Sequence, residues 1–219
     1  AYEDARWQAV SCATYSFKKD DKLFLNVLNE KMKIDNVSEE DKYDYSKSLS
    51  ITESERYYHR DNRCEPYWYE FKIDSQHSLN SKQLFIKSCE ILINELENFK
   101  EEIPQILNKE DSETRFSIEQ KKDNVFTLFV HGNDDTIGNI LQTYIVNEII
   151  EKTDTDFTVC GYKKTHPLEE TIFFNIALNP GIKISNQRTI VSIIELFTEA
   201  CNGLIKIYTN IKKTTEKSL

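Results

Sequence analysis

The chain has 219 residues, 39% of them hydrophobic and 30% charged, with a formal net charge of −9. That length suffices for one large or two small domains with real cores. No apolar stretch approaches a membrane span, no signal peptide opens the chain, and the acidic balance argues against a surface that wraps nucleic acid.

The single methionine is Met32 and the first residue is Ala1, which points to a segment of a longer or processed protein. The five cysteines (Cys12, Cys64, Cys89, Cys160 and Cys201) form no Cys-x-x-Cys pair, so a zinc ribbon is not expected. Cys89 and Cys201 fall on apolar helix faces, where cysteine serves as a small core residue. The set reads as that of a protein from a reducing compartment.

Residues 1–17 hold short apolar runs suited to a strand and its entry turn. Residues 18–64 have no glycine or proline and are rich in Lys, Asp, Glu, Asn and Ser. A short helix over Leu23–Met32 is expected there, and residues 35–56 read as a solvated excursion. Tyr67, Tyr69, Phe71 and Ile73 then alternate with mostly polar neighbours, as in a half-buried strand. Asn80 and Gln83 stand in capping-box spacing before a helix. Its apolar stripe, Phe85, Cys89, Leu92, Leu96, Phe99 and Ile103, repeats at intervals of 4, 3, 4, 3 and 4, and Pro104 ends the helix nearby.

After a polar linker, Arg115–Gln120 and Val125–Val130 alternate as the strands of a hairpin. Asp134 or Asp135 starts a helix reaching about Glu151, with Ile137, Leu141, Tyr144, Ile145 and Ile149 on its buried face. Phe157–Lys163 and Thr171–Leu178 read as two more strands, joined through a His166-Pro167 turn, and Pro180-Gly181 breaks the chain. The last helix, 187–213, carries Ile190, Ile194, Phe197, Cys201, Leu204, Tyr208 and Ile211 at intervals of 4, 3, 4, 3, 4 and 3. A stripe that long exceeds what one small sheet needs, so the two striped helices are candidates to face each other or a partner. The fold class is α+β, with antiparallel sheets and long packed helices.

Gly138 lies one turn inside a helix, where glycine costs about 1 kcal/mol relative to alanine. Such a cost suggests close approach by another backbone or a bulky side chain. Asn139 beside it can hydrogen-bond across a contact. Asp134 and Asp135 sit at the positive end of the helix dipole, where simple capping explains them.

Two blocks in this order and spacing resemble a known motif. Asp134, Thr136, Gly138, Asn139 and Leu141, followed by Gly161, Tyr162, His166, Pro167 and Leu168, resemble the dimerisation motif of the small assembly subunit of cellular DNA-directed RNA polymerases. That family includes the eukaryotic eleventh subunit and its archaeal counterpart, and is related to bacterial alpha. Three positions depart from it: Asp135 replaces the usual His, Gln142 the usual basic residue after the Leu, and Thr165 the usual Pro. More weakly, Asp4–Val10 and Tyr67–Ile103 resemble the closing part of the larger assembly partner, the eukaryotic third subunit or its archaeal equivalent. Together these resemble the fused third/eleventh subunits of large cytoplasmic DNA viruses, asfarvirus- or mimivirus-like.

The resemblance implies an alpha/eleventh-subunit-like dimerisation fold at 115–219. It also implies the C-terminal part of a third-subunit-like domain at 1–103 with a polar insertion at 18–64, and a linker at 104–114. It implies an assembly platform for the two largest polymerase subunits and other small ones, touching nucleic acid only indirectly and no membrane. No catalytic residue, metal or cofactor is expected in the chain. The expected interface residues are Asp134, Asp135, Thr136, Gly138, Asn139, Leu141, Gly161, Tyr162, His166, Pro167 and Leu168. Phe85, Leu92, Leu96 and Phe99 join them from the first striped helix, and Ile194, Phe197 and Leu204 from the last. On this reading Gly138→Leu abolishes assembly with the helices intact. The location would be host cytoplasm and virion if viral, and the nucleus if cellular. Two rivals are a helix-mediated dimerisation module outside transcription and an enzyme using His131, Asp134 and Asp135, with His166, as a metal or acid–base cluster.

Overall fold

The computed structural model describes residues 8–76, 79–107, 115–122, 124–166, 169–181 and 186–217. The expected turn at Asp4–Trp7, most of the linker, and Pro167 and Leu168 lie outside them. The chain divides into two compact units, Ala1–Leu84 and Phe85–Leu219.

In the first unit, β1 (Val10–Phe17) pairs antiparallel with β2 (Tyr69–Ser75). Between them run α1 (Asp21–Ile34) and α2 (Lys42–Glu53). Asp20 caps α1 by accepting from Leu23 N at 3.0 Å. The excursion expected at 35–56 is corrected here, because 42–53 is helical. With no glycine or proline to break it, the segment forms a helix despite lacking an apolar stripe, and no residue of α2 is buried. The hairpin of helices is held by polar links: Lys31 donates to Glu53 at 2.6 Å, Tyr57 donates to Glu53 at 3.4 Å, and Tyr45 donates to Asp35. Leu28 is its one fully buried apolar residue among those described.

A second correction concerns β2. Its alternation is real, but the apolar face is not covered. Register places Tyr15 opposite Phe71 and Phe17 opposite Tyr69, so four aromatic rings share one face, and Phe71 is 65% and Tyr15 63% exposed.

The second unit holds α3 (Ser81–Glu102) from Phe85 onward, a 3-10 turn at Ile103–Leu107, and a four-stranded antiparallel sheet in the order β3-β4-β6-β5. The strands are β3 (Phe116–Lys122), β4 (Val125–His131), β5 (Phe157–Lys164) and β6 (Thr171–Leu178). Between β4 and β5 lies α4 (Asp135–Tyr144), continuing into a π turn at Ile145–Ile150, and α5 (Asn186–Lys217) follows β6. Asn80 Oδ1 accepts from Gln83 N at 2.8 Å while Gln83 Oε1 accepts from Asn80 N at 3.1 Å, the reciprocal capping box expected for α3.

Alternation in the strands sends Phe126, Leu128, Val130, Ile172, Phe174 and Ile176 to one face, where all are buried. The helices cover that face with Ile137, Leu141, Ile145 and Ile149 and with Ile193, Phe197, Cys201 and Leu204. Ile145 and Ile149, four residues apart in the π turn, are both buried. Leu96, Phe99 and Ile103 of the first striped helix join the same core at 0% exposure. That is why the boundary between compact units falls at Leu84/Phe85, ahead of the boundary expected at residue 103.

The two striped helices do face each other. Lys212 donates to Glu90 at 2.6 Å and Lys100 donates to Asn202 at 3.3 Å. Contacts that advance along α3 retreat along α5, so the pair is antiparallel. Phe99 stacks on Phe197 at 6.0 Å and meets Phe116 edge-on at 5.0 Å.

Cys89, Cys160 and Cys201 are buried, as the helix stripes imply for Cys89 and Cys201, and Cys64 is exposed. Burial pushes the Cys160 and Cys201 thiols up to about 12, so they stay protonated and unreactive at neutral pH. Alkylation of the folded protein by iodoacetamide, read by mass spectrometry, is expected to modify Cys64 first and to spare Cys160 and Cys201. Denaturant is expected to expose all five cysteines to the reagent.

Candidate assembly interface

The first motif block opens α4. Asp134 is the N-cap, and its Oδ1 accepts from Thr136 N at 2.9 Å. Asp135 is an acid in the first turn, where the dipole favours it. The capping explanation of the two aspartates therefore stands. Asn133, just before the cap, is buried and accepts from Arg115 Nη2 at 2.7 Å. Arg115 also donates to Glu102 at 2.8 Å and to the His131 carbonyl at 2.9 Å. One guanidinium thus ties the end of α3, the end of β4 and the entry to α4. Sequence reasoning missed this role, since Arg115 lies outside both motif blocks.

Gly138 and Tyr162, far apart in sequence, come together. A Cβ placed on Gly138 would lie 2.6 Å from Tyr162 Cδ2 and 3.2 Å from its Cγ. The close approach expected at Gly138 exists, and the neighbour is a ring of this same chain. Gln142, one turn further along, accepts from Tyr162 N at 2.8 Å. The other in-helix glycine of this unit, Gly203 of α5, is matched by Tyr144 of α4: a Cβ there would lie 2.0 Å from the Tyr144 hydroxyl oxygen. Nothing lies within 4 Å of a Cβ placed on Gly161.

Other expected interface residues divide by burial. Leu141, Leu96, Phe99 and Phe197 are fully buried in the core of the second unit, with Ile194 and Leu204 nearly so and Leu92 packed against them. Phe85 is half-buried, and Asp134, Asp135, Thr136, Asn139 and His166 are exposed.

Between α4 and α5 lies an open groove of about 510 Å³. Ile140, Tyr144, Leu204, Ile207 and Tyr208 line it with apolar surface, and Asp135, Thr136, Asn139, Thr143, Asn147 and Glu148 form its polar side. Glu148 is paired with Lys152 at 2.6 Å, and burial raises the Tyr208 phenol above its ordinary range, so that group is neutral. Ile207 remains 44% exposed. The groove is apolar along its length and carries groups that can hydrogen-bond but no nucleophile–base pair.

His131 Nδ1 lies 3.0 Å from Thr171 Oγ1. Among the described residues, no group of three or more His, Cys, Asp and Glu side chains converges to hold a metal ion.

Residues 126–214 match the family described as the RNA polymerase Rpb3/Rpb11 dimerisation domain. This stretch runs from β4 into α5 and includes the whole groove. A Caenorhabditis elegans protein described as "Probable DNA-directed RNA polymerases I and III subunit RPAC2" is 28% identical over 134 residues, which is 57% of this chain and 82% of that protein. The fold is the α+β, antiparallel-sheet dimerisation type expected from the sequence.

Proposed function

We propose that this chain is a non-catalytic assembly subunit of a multisubunit DNA-directed RNA polymerase and that it pairs through the α4–α5 groove. The observation that carries this reading is the unfilled apolar groove inside the matched stretch, 126–214. A helix laid along it would bury Ile140, Ile207 and Tyr208, and apolar burial supplies about 25 cal/mol per Å². The paired unit would serve as a platform for the two largest, catalytic subunits and the other small ones. Nucleotide addition would belong to those large subunits.

The finer organisation belongs to the same proposal. Residues 1–103 would be the end of a third-subunit-like partner, fused through a linker at 104–114 to an eleventh-subunit-like domain at 115–219, as in large DNA viruses. The antiparallel packing of α3 on α5 supports this, because it is the contact such a fused pair would make between its halves. The chain would then work in host cytoplasm and virion if viral, and in the nucleus if cellular.

Affinity purification at endogenous level is expected to recover two very large polymerase subunits. Recovery of a lone protein with metal-dependent hydrolytic activity would sink the reading. Ile207→Glu places a charge in the groove without touching the core. It is expected to leave the melting temperature within a few degrees of the parent and to weaken recovery at least tenfold, because an unpaired charge at an apolar interface costs about 2 kcal/mol or more. Undiminished recovery would move the pairing surface elsewhere.

A further inference from the structure

Among the described residues the strand β5 ends the sheet, so one row of its backbone groups has no neighbouring strand there. Such a row is a template on which another chain can add a strand. Tyr162 stands opposite Phe174 of β6, yet its N–H donates to Gln142 Oε1 at 2.8 Å. The bond therefore runs away from β6, off the free edge. Gln142 lies four residues after Gly138, on the same face of α4. One turn of helix thus seats the Tyr162 ring at Gly138 and takes the Tyr162 N–H at Gln142.

The strand around this point invites pairing. Its sequence, Phe-Thr-Val-Cys-Gly-Tyr-Lys-Lys, has no proline and no charge before Lys163, and Val159 is 54% exposed. Two copies of β5 laid antiparallel would be related by a two-fold axis, a self-complementary arrangement that needs no further partner. Tyr162 is the last donor of the uncharged segment, just before Lys163.

We propose that Gln142 is an edge guard: it occupies the Tyr162 N–H and so denies the free edge of β5 to the β5 strand of a second copy. Only an acceptor can do this. The guarded edge is a different surface from the α4–α5 groove.

The test uses the full chain carrying Ile207→Glu, so that self-association through the groove is separately suppressed. In that background Gln142→Met keeps the length of the side chain and removes the acceptor, whereas Gln142→Glu keeps an acceptor. Amide exchange of Tyr162 by NMR is expected to quicken roughly five- to tenfold in the Met variant, the equivalent of one lost hydrogen bond. Light scattering is expected to show concentration-dependent dimers or larger species for Met and monomer for Glu. Unchanged Tyr162 exchange in Gln142→Met, or faster exchange with no self-association, would overturn the proposal. If Gln142→Met also lowers stability, adding Val159→Lys decides the cause. A charge on the edge restores the monomer if β5 is the route, and persistence of the associated species overturns the proposal. The guard can fail while pairing through the groove holds, and the reverse.

Discussion

Phe99→Ala is expected to lower the unfolding free energy by about 3–5 kcal/mol, the range for large aromatic truncations in cores. The ring is fully buried, meets Phe116 edge-on and stacks on Phe197, so it joins α3, β3 and α5 at one point. Truncation leaves a cavity that three elements must close, and each is anchored by other contacts, which limits collapse. Urea denaturation of the full chain measures the loss. Phe99→Leu retains most of the volume and is expected to recover more than half of it. A loss below about 1 kcal/mol for Phe99→Ala would mean that α3 is not part of the core of the second unit.

Gly138→Leu is expected to cost about 2 kcal/mol net. Overpacking a tight site costs about 1–3 kcal/mol, and larger clashes cost more. The gain in helix propensity, about 1 kcal/mol, offsets part of it. The contact at issue lies near the root of the Tyr162 ring, where rotation gives little relief. The expectation drawn from sequence, loss of assembly with helices intact, here has a cause within the chain. The strain falls inside the second unit, and any loss of pairing follows from a displaced α4. Tyr162→Ala in the same chain should return much of the lost stability, a coupling measurable by a double-mutant cycle. Additive losses at the two positions would show that they do not touch.

The helices and strands of the second unit were legible in the sequence because they are strongly periodic. The alternating strands, the α3 and α5 stripes and the two caps all appear within a residue or a few of their expected places. The α2 helix was not legible, since helix without an apolar stripe has only propensity to announce it. The aromatic alternation of β2 correctly marked a strand and misled about cover, because periodicity shows which side is apolar but not what lies against it. The same limit applies at Gly138. The need for a close neighbour could be read from a glycine inside a helix, whereas the neighbour's belonging to β5 could not. Gln142 stood out only as a departure from the motif and Arg115 not at all, because their partners are backbone atoms and side chains brought near only by the folded sheet.

Two tyrosines of this unit rest where a glycine has left room, Tyr162 on Gly138 and Tyr144 on Gly203. One holds α4 to the sheet and the other holds it to α5. At each place a side chain can enlarge only if its counterpart shrinks, so acceptable sequence change must come in pairs. Among descendants of this chain, the residues at 138 and 162 should co-vary in size, and those at 144 and 203 likewise. The second pair borders the groove, so such an exchange would also reshape the surface offered to a partner. Drift inside the protein would then be recorded in the shape of whatever binds it.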